Sequence, residues 1–410
     1  MADNQKKIVI CGPSLSGNMG GAALVSGGLV ALRAYMPDAK YTLLSLRAEK
    51  DSIYSKHYNI HVVGANLWQL PLSLLRSMLW YGLNKVKINF SWLVSNDSLL
   101  KSYKNADVIL NMTGTSFHDS FGKLVVLKHA LWLLPSFLLR KHVVIYSQTL
   151  GPFKSRFNQI LAHYCLNHVN FLIARGKQSR QYLKELGIKK PIYIKADAGF
   201  LLEPVFPERA KDIFSSNKDA LEKVVVGVTV NSAFELIFKG EENKYIELMA
   251  ELFDYVVERL NGRLIFISHA EGDMNIAGRI NAHMKMKDKS KIIDNTYTVE
   301  ELKGIIGRCD LFIGSRFHSI VASLSMAVPT VAIGWSHKYH EVMAMFGQES
   351  YVFDFNPDMG LDEVKNKVDC LWKERRQIKT VLLAKVRKVK ESALSCGKFI
   401  KELVDSKDNR

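Results

Sequence analysis

Short apolar runs alternate along the chain with polar or glycine-containing loops and with longer amphipathic stretches. Runs of strand length begin at Ile8, Tyr41, Ala106, His142, Phe171, Ile192, Val224, Arg263, Leu311, Thr330 and Tyr351. Most of them end in a Gly, Ser or Thr loop, after which helical periodicity resumes. Repeated strand–loop–helix units predict an α/β protein with parallel sheets whose loops gather at one edge of each sheet.

The length predicts two domains, because 410 residues exceed the size at which a single core stops growing. Composition shifts to mixed charge near residue 206. We therefore predict an N-terminal α/β domain over 1–205, a linker over 206–223 and a C-terminal α/β domain over 224–374. Residues 375–410 are expected to form a basic amphipathic helix and tail.

One strand–turn–helix unit carries the most informative polar residues. The apolar run 311–313 ends at Gly314, and Ser315 is placed to cap the helix that follows. Arg316 and His318 then lie at the mouth of the turn, where open α/β sheets bind ligands. From spacing alone, an Arg and a His that decorate a surface loop are an equally good interpretation.

Charge is unevenly distributed between the two halves of the chain. Residues 1–200 hold 25 Lys and Arg against 9 Asp and Glu, whereas 201–410 hold 31 of each. A basic half predicts an anionic partner. The basic residues are dispersed and no nucleic-acid recognition motif accompanies them, so we expect no nucleic acid and favour a phosphorylated acceptor or peripheral contact with an anionic membrane.

The cysteines and histidines predict neither a disulfide framework nor a metal site. The five cysteines have no paired spacing, and the histidines lack the H-x-x-x-H spacing with an acidic partner. The N-terminal residues have no apolar signal region. These features predict a cytoplasmic protein, located at the inner face of the membrane if it touches lipid.

Two strongly apolar stretches, 65–82 and 124–140, leave two interpretations open. Neither provides the roughly 20 uninterrupted apolar residues of a spanning helix. Their aromatic and basic flanks are typical of helices that lie in the plane of a membrane. Core helices of an α/β domain explain them as well.

The first loop, 12–21, is rich in glycine but does not predict a dinucleotide cofactor. Its glycines depart from G-x-G-x-x-G spacing, and no acidic residue ends the next strand, where a ribose would need one. We expect no cofactor. The loop would let backbone approach a ligand, with Asn18 as a polar contact; a tight turn needed only for packing is the alternative.

Several strand ends together resemble the polysaccharide pyruvyl transferases. The most specific piece is 315–329 with Ser336-His-Lys338 after it. Supporting pieces are Gly17-Asn18, Gly114 with Asp119, 148–153, Ala174-Arg175 with Ser179, and Asp197. The chain departs from the family pattern at Gly21, where an acidic residue is usual, and in a reduced glycine run at 112–115.

The resemblance implies a glycosyltransferase-B-like architecture of two Rossmann-like domains and phosphoenolpyruvate as donor. It implies transfer of a pyruvyl group to a sugar of a cell-surface polysaccharide, an exopolysaccharide, or its lipid-linked precursor, as a ketal. The family's catalytic and donor-binding Arg and His map onto Arg316 and His318.

The chemistry of that donor suggests roles for further residues. Its carboxylate and phosphate need cations, and His318 fits a general acid/base with a pKa near neutrality. The donor-binding candidates are Arg175, Arg316, Ser315, Ser319 and Lys338. The acceptor-binding candidates are Asn18, Gly114, Asp119, Gln148 and His269. Helix capping by Asp119 and turn roles for Gln148 and Asn18 remain alternatives.

Two other functions compete with this one. A nucleotide-sugar-dependent glycosyltransferase of the same fold would need an acidic residue against a ribose, and Glu341 is the nearby candidate. A non-catalytic glycan-binding relative would keep the fold without the chemistry.

Overall fold

The structure is a computed structural model that describes residues 5–88, 90–214, 224–234, 240–293 and 296–408. It divides into two compact units. The first unit comprises the chain up to Ser16, Leu24–Leu201 and the C-terminal stretch from Glu391; the second comprises Gly17–Ala23 and Leu202–Lys390.

The first unit is built on a parallel sheet with the strand order β3-β2-β1-β4-β6-β7-β8, with β5 paired to β6. The strands are β1 Lys7–Cys11, β2 Lys40–Ser45, β3 His61–Gly64, β4 Val108–Asn111, β5 Thr115–Ser116, β6 His142–Leu150, β7 Phe171–Ala174 and β8 Ile192–Ile194. The strand order reverses between β1 and β4, so the topological switch point of this sheet lies between those two strands.

The second unit is built on a second parallel sheet, with the order β11-β10-β9-β12-β13-β14. Its strands are β9 Val225–Thr229, β10 Arg263–Ile267, β11 Ser290–Ile293, β12 Leu311–Gly314, β13 Thr330–Gly334 and β14 Val352–Asp354. Here the order reverses between β9 and β12, so the turn after β12 lies at the switch point.

Helices connect the strands in both units. Up to residue 201 they are α1 Met19–Arg33, α2 Ala48–Ser52, α3 Ser55–Tyr58, α4 Gln69–Lys85, α5 Trp92–Ser95, α6 Ser98–Asn105, α7 Lys123–Leu138, α8 Arg156–His168 and α9 Lys177–Glu185. Beyond it they are α10 Lys211–Phe214, α11 Glu242–Leu260, α12 Asp273–His283, α13 Val299–Ile306, α14 Phe317–Ser325, α15 His337–Ala344, α16 Leu361–Leu394 and α17 Cys396–Asp408.

Both faces of the first sheet are buried, which explains its uninterrupted apolar strands. Val9 and Ile109 pack on one face, whereas their chain neighbours Ile8 and Leu110 pack on the other. The final helix, α17, contributes Cys396, Ile400 and Val404, spaced as one helical stripe, to the second of these cores.

The prediction of two parallel-sheet α/β domains is confirmed. The hydrophobic pattern did not predict the edge strands β3 and β11, because these two strands are half exposed and carry too few apolar residues to form a run. Among the described residues, no helix is both long and apolar enough to cross a membrane.

The division of the structure differs from the expected boundaries in three places. Residues 206–214 were expected in a linker, but Ala210 and Ile213 pack in the second unit's core; 215–223 lie outside the described residues. The helix expected from Arg375 begins at Leu361 instead. Gly17–Ala23, expected in the N-terminal domain, groups with the second unit.

Candidate functional site

The turn between β12 and α14 is held from the buried side. Helix α14 begins at Phe317 with Arg316 as its cap residue and without a side-chain cap, so the expected capping role of Ser315 is wrong. Ser315 is buried instead, and its carbonyl oxygen accepts hydrogen bonds from Asn231 Nδ2 and the Tyr339 hydroxyl, both at 2.9 Å. These bonds fix the turn that carries Arg316.

Arg316 forms a two-pronged ion pair with Asp273. Its Nε donates to Asp273 Oδ2 at 3.0 Å and its Nη2 donates to Oδ1 of the same carboxylate. Nη2 also donates to Ser232 Oγ at 2.9 Å. Asp273 is fully buried, whereas 17% of the Arg316 side chain is exposed. The fork therefore holds the guanidinium in one orientation while part of it still faces solvent.

Asp273 connects three segments around that arginine. Its oxygens accept backbone N–H bonds from Ser232 at 3.1 Å, His269 at 3.1 Å and Ala270 at 2.9 Å. The sequence analysis gave Asp273 no role, because it looked like the last residue of the polar loop that follows β10. Its sequence signal is an acidic residue in the first turn of a helix, preceded by Gly272.

The glycine loop joins this cluster through backbone hydrogen bonds. Met19 N donates to His269 O at 2.9 Å, and Glu271 N donates to Gly17 O at 3.0 Å. Asn18 forms an isolated antiparallel bridge with Ala270. The two loops were far apart in the sequence interpretation, and the structure brings them together within the second unit.

Asn18 is exposed and its side chain is used locally. Its Oδ1 accepts the backbone N–H of Gly20 at 2.9 Å, and its carbonyl accepts that of Gly21 at 3.0 Å. This is the hydrogen bonding of a helix cap at the start of α1. The turn role that sequence analysis left open is therefore present; an acceptor contact by Asn18 stays a prediction.

His318 lies directly against the glycine loop. A β-carbon at Gly20 would stand 2.5 Å from His318 Nδ1 and 3.0 Å from Asn18 Oδ1. Because real β-carbons do not approach so closely, glycine at position 20 is what leaves room for the half-buried imidazole. The Phe317 ring contacts that imidazole edge-on, with 5.3 Å between centroids.

His269 is buried beside the ion pair. Only 3% of it is exposed, and its Nδ1 has no hydrogen-bond partner among the residues that the structure describes. Burial lowers the pKa of His269 to about 4; the neighbouring Asp273 opposes that shift and Arg316 adds to it. His269 is therefore neutral at pH 7 and suited to hydrogen bonding rather than to carrying charge.

Lys338 lies in a cage of aromatic rings at the start of α15. Its Nζ is 4.4 Å from the centroid of Trp335, 5.4 Å from that of Tyr339 and 5.6 Å from that of Phe317. Ring faces attract an ammonium group. The Phe317 contact places this cation beside the turn that carries Arg316.

Ser319, also predicted to bind donor, is fully buried within α14. Its hydroxyl donates to Arg316 O at 2.7 Å and lies 2.7 Å from Thr229 Oγ1. These contacts tie the first turn of the helix to strand β9. Direct contact of Ser319 with a ligand stays a prediction.

The other candidates lie in the first unit. Arg175 follows β7 and pairs with Asp197, Nε to Oδ2 at 2.6 Å, and both are almost completely buried. Burial lowers the pKa of Arg175, and Asp197 opposes that shift. Gly114, at φ +85°, lies beside the pair, since a β-carbon there would be 3.5 Å from Arg175 Nη2. Arg175 is therefore a buried, paired cation in this unit, and donor binding by Arg175 stays a prediction.

Gln148 is completely buried in a side-chain network at the end of β6. Its Nε2 donates to Asn111 Oδ1 at 2.6 Å and to Asn111 O at 2.7 Å, and its Oε1 accepts from the Ser116 hydroxyl. The amide thus binds strand β4 and strand β5 instead of facing solvent, where we expected it to meet a sugar.

Asp119 organises the entry to helix α8. Its Oδ2 accepts the Lys154 backbone N–H, and its Oδ1 accepts the Ser155 N–H at 3.2 Å and the Ser155 hydroxyl at 2.7 Å. The cap of α8 is Ser155, whose side chain accepts the Asn158 N–H, so Asp119 supports the cap residue without being the cap itself. Asp119 also lines an open pocket of about 430 Å³ with Lys123, Lys154 and Ser155.

The predicted residues thus fall into two groups. The second unit holds Asn18, His269, Ser315, Arg316, His318, Ser319 and Lys338; the first holds Gly114, Asp119, Gln148 and Arg175. Across the described ranges, no three His, Cys, Asp or Glu side chains are placed to hold a metal ion.

Solved structures share this fold at low sequence identity. HepE of Anabaena in complex with UDP and glucose matches with a TM-score of 0.61 and 16% identity, covering 98% of this chain and 100% of its own. A putative UDP-N-acetylglucosamine 2-epimerase from Listeria monocytogenes matches with 0.63 and 14%, covering 96% and 94%. At such identities the likeness shows the fold alone, and it confirms the glycosyltransferase-B-like architecture.

Sequence comparison is more specific. The amylovoran biosynthesis protein AmsJ of Erwinia amylovora is 26% identical over 371 residues, which cover 83% of this chain and 86% of that protein. The family model described as polysaccharide pyruvyl transferase matches residues 18–337. That range runs from the glycine loop to the start of α15 and includes the Arg316–His318 turn. The chain therefore belongs to the polysaccharide pyruvyl transferase family.

Proposed function

We propose that this protein transfers a pyruvyl group from phosphoenolpyruvate to a sugar of a cell-surface polysaccharide or its lipid-linked precursor, forming a ketal and releasing phosphate. The family match over residues 18–337 carries the proposal. The similarity to a protein named for amylovoran biosynthesis supports a saccharide acceptor.

The cations of the second unit support an anionic donor. Phosphoenolpyruvate carries a carboxylate and a phosphate, and guanidinium forks suit both groups. Arg316 is fixed by Asp273 yet partly exposed, and Lys338 lies beside the same turn. The N-terminus of α14 adds backbone N–H groups that favour negative charge. We assign donor binding to this turn.

The chemistry forms one carbon–hydrogen bond and two carbon–oxygen bonds. The donor methylene carbon gains a proton, and two sugar hydroxyls attack the adjacent carbon and lose two protons in total. The bond from that carbon to the phosphate oxygen breaks, so that one proton is balanced by the new methyl group and the other leaves with the phosphate. His318 is our general acid/base, because it is half-buried in the first turn of α14, two residues after Arg316.

In this proposal we no longer assign Arg175 to donor binding. Its pair with Asp197 is nearly sealed from solvent, which favours a structural role. Asn18, His269, Gly114, Asp119 and Gln148 remain our candidates for the acceptor side, the last three by shaping the strand ends of the first unit. We place the reaction in the cytoplasm, in keeping with five cysteines that form no disulfide.

The deciding experiment supplies phosphoenolpyruvate with saccharide acceptors and measures phosphate release together with acid-labile pyruvate on the saccharide. We expect both with the wild-type protein and neither with His318→Ala. Lys177→Ala is the matched control, because Lys177 stands two residues after Arg175 as His318 does after Arg316.

A nucleotide-sugar glycosyltransferase is the second candidate, favoured by the UDP-bound structures of the same fold. Its predicted ribose ligand, Glu341, has an oxygen 3.8 Å from His337 Nε2. Consumption of a nucleotide sugar with no response to phosphoenolpyruvate would replace our proposal with this one. Glycan binding without turnover of either donor would favour a non-catalytic role.

A further inference from the structure

Helix α4, Gln69–Lys85, buries two serines beside Leu70 and exposes a row of aliphatic side chains. The buried positions include Ser73 and Ser77, both with no exposed surface. Ser73 donates to the buried carboxylate of Asp97 at 2.6 Å. Two serines therefore share the interior side with Leu70, at positions where an amphipathic helix of a water-soluble protein usually places apolar residues.

Four apolar residues of α4 face outward. We call Leu72, Leu75, Met78 and Leu79 the outer face; between 44% and 55% of each is exposed. They follow one another at helical spacing, so they form one continuous stripe. The stripe is extended by Trp68, which is 87% exposed, before the helix.

The segment after α4 continues this character. Val86, Ile88, Phe90 and Trp92 are all exposed, with between 40% and 64% of each accessible. A single exposed apolar residue is ordinary, but a contiguous group of this size marks an interaction surface.

Basic residues border the apolar stripe. Lys85 Nζ is 4.9 Å from the Tyr81 ring centroid, and the Arg140 guanidinium is 5.9 Å from it. Arg76, the second basic residue on α4, is one-third exposed and pairs with the buried Asp97. Cations at the edge of an apolar helix face and exposed tryptophans are the composition of helices that lie in a membrane interface.

The surrounding sequence excludes acidic residues. No Asp or Glu occurs in 52–96 or in 120–184, while the second of these ranges carries ten Lys and Arg. These ranges include α4, α7 and α8, and α7 packs against both other helices. Charge of a single sign over packed helices complements an anionic surface.

We propose that the outer face of α4, with the exposed Val86, Ile88, Phe90 and Trp92, is a docking surface for an anionic lipid bilayer. The helix would lie in the plane of the interface, with its leucines among the acyl chains and Lys85, Lys87 and Arg140 at the phosphates. Charge argues for lipid over a second copy of the chain, because two copies would oppose like-charged surfaces. The inference does not depend on the reaction at the Arg316 turn.

Co-sedimentation of the full-length protein with vesicles tests it. We expect binding to phosphatidylcholine mixed with phosphatidylglycerol at low salt, weaker binding at high salt, and much weaker binding to phosphatidylcholine alone. The triple variant Leu72→Ser, Leu75→Ser, Leu79→Ser should bind the mixed vesicles at least about tenfold more weakly. Lys85→Glu with Lys87→Glu should lose about tenfold or more on mixed vesicles only.

The matched control removes equally exposed apolar residues elsewhere. Ile53→Ser, Val205→Ser and Leu383→Ser replace side chains that are 78%, 50% and 59% exposed, and this triple variant should bind as the wild type does. Circular dichroism and the thermal midpoint would establish that each variant is folded, as expected for changes on a surface.

Three results would overturn the inference. One is a wild-type protein that stays in the supernatant with anionic vesicles at low salt. Another is equal binding by the outer-face variant and the control. The third is a wild-type dimer that the outer-face substitutions dissociate, without any vesicle binding; it would assign the surface to a second copy. Phosphate release from phosphoenolpyruvate in solution should be unchanged in every variant, which separates this test from that of the proposed reaction.

Discussion

Arg175 in the first unit and Arg316 in the second occupy the same local position, directly after a parallel strand or one residue beyond it. Each pairs with a buried aspartate, Asp197 and Asp273 respectively. The surroundings differ. The Arg175 side chain is 4% exposed, whereas that of Arg316 is 17% exposed and also donates to Ser232.

The comparison teaches that a strand-end arginine does not by itself predict ligand binding. Sequence reasoning gave both arginines to the donor, because both follow apolar runs at the ligand-binding edge of a sheet. Burial separates them: an almost sealed ion pair serves the fold, and a pair with an open edge can also meet a substrate. The next residues differ as well, since Arg175 is followed two positions later by Lys177 and Arg316 by His318.

The largest effect on turnover should come from His318, which stands two residues after Arg316, where the corresponding position in the first unit is Lys177. We expect His318→Gln to lower kcat by about 10²- to 10⁴-fold with little change in KM for phosphoenolpyruvate, because a general acid/base acts in the transition state. Steady-state phosphate release measures both constants. Lys177→Gln, the corresponding change in the first unit, should leave them unchanged; equal losses in the two variants would remove the distinction between the turns.

Removing each arginine in turn tests the comparison directly. Arg175→Gln should lower the free energy of unfolding by about 3–5 kcal/mol, because it leaves the buried Asp197 without its cation. Arg316→Gln should cost only about 1–2 kcal/mol, since Asp273 keeps three backbone N–H donors.

Urea denaturation measures both free energies, and donor kinetics supply the contrast. KM for phosphoenolpyruvate should rise about tenfold or more in Arg316→Gln, because it loses charged hydrogen bonds. A properly folded Arg175→Gln protein should keep its KM. A raised KM in Arg175→Gln with a normal KM in Arg316→Gln would assign the donor to the other arginine.

Periodicity predicted the fold well because buried parallel strands read as apolar runs. The runs at Leu311 and Thr330 became adjacent paired strands. It did not predict that Gly17–Ala23 groups with the second unit, because backbone bonds such as Met19 N to His269 O leave no trace in side-chain pattern. The start of α16 at Leu361 was also hidden, although Val364 and Val368 form a buried stripe there.

The sequence predicted the Arg316–His318 motif of the site, but it did not predict Asp273, the residue that holds Arg316 in place. Arg316 and His318 stood out because a turn after a buried strand displayed them, whereas Asp273 looked like one acidic residue of an ordinary loop. Its role needs the three-dimensional approach of Ser232, His269 and Arg316. Gln148 also stood out as a polar residue at a strand end, but its burial in a network with Asn111 could not be predicted from the sequence.

Acid should weaken the second unit through His269. Its pKa is about 4 in the fold and 6.5 in an unfolded chain, so the unfolded state binds more protons between those values. The free energy of unfolding should therefore fall by about 2–3 kcal/mol as pH drops from 6.5 to 4 because of this residue. His269→Gln should remove that part of the pH dependence, as measured by urea denaturation across the range.

The control for His269 is His57→Gln, which changes an exposed histidine of the first unit. Its pH profile should match that of the wild type, because the buried histidines His129 and His337 contribute equally to both proteins. If His269→Gln and His57→Gln gave the same slope, the buried His269 would not be a source of the acid sensitivity.

The smallest effect we expect comes from one added methyl group at the glycine loop. In Gly20→Ala the new carbon would stand 2.5 Å from His318 Nδ1, so the imidazole must turn away. A displaced general acid/base should lower kcat about tenfold, as small misplacements of catalytic groups do. The free energy of unfolding should change little, because the imidazole can move and alanine favours the helix.

Gly278→Ala is the matched control, since a β-carbon at this helical glycine of the second unit meets no atom within 4 Å. Parallel kcat and urea measurements check both variants. If Gly20→Ala kept full kcat, contact with the glycine loop would not position His318. The difference between the Arg316 turn and the Arg175 turn as a donor site would then rest on Arg316 alone.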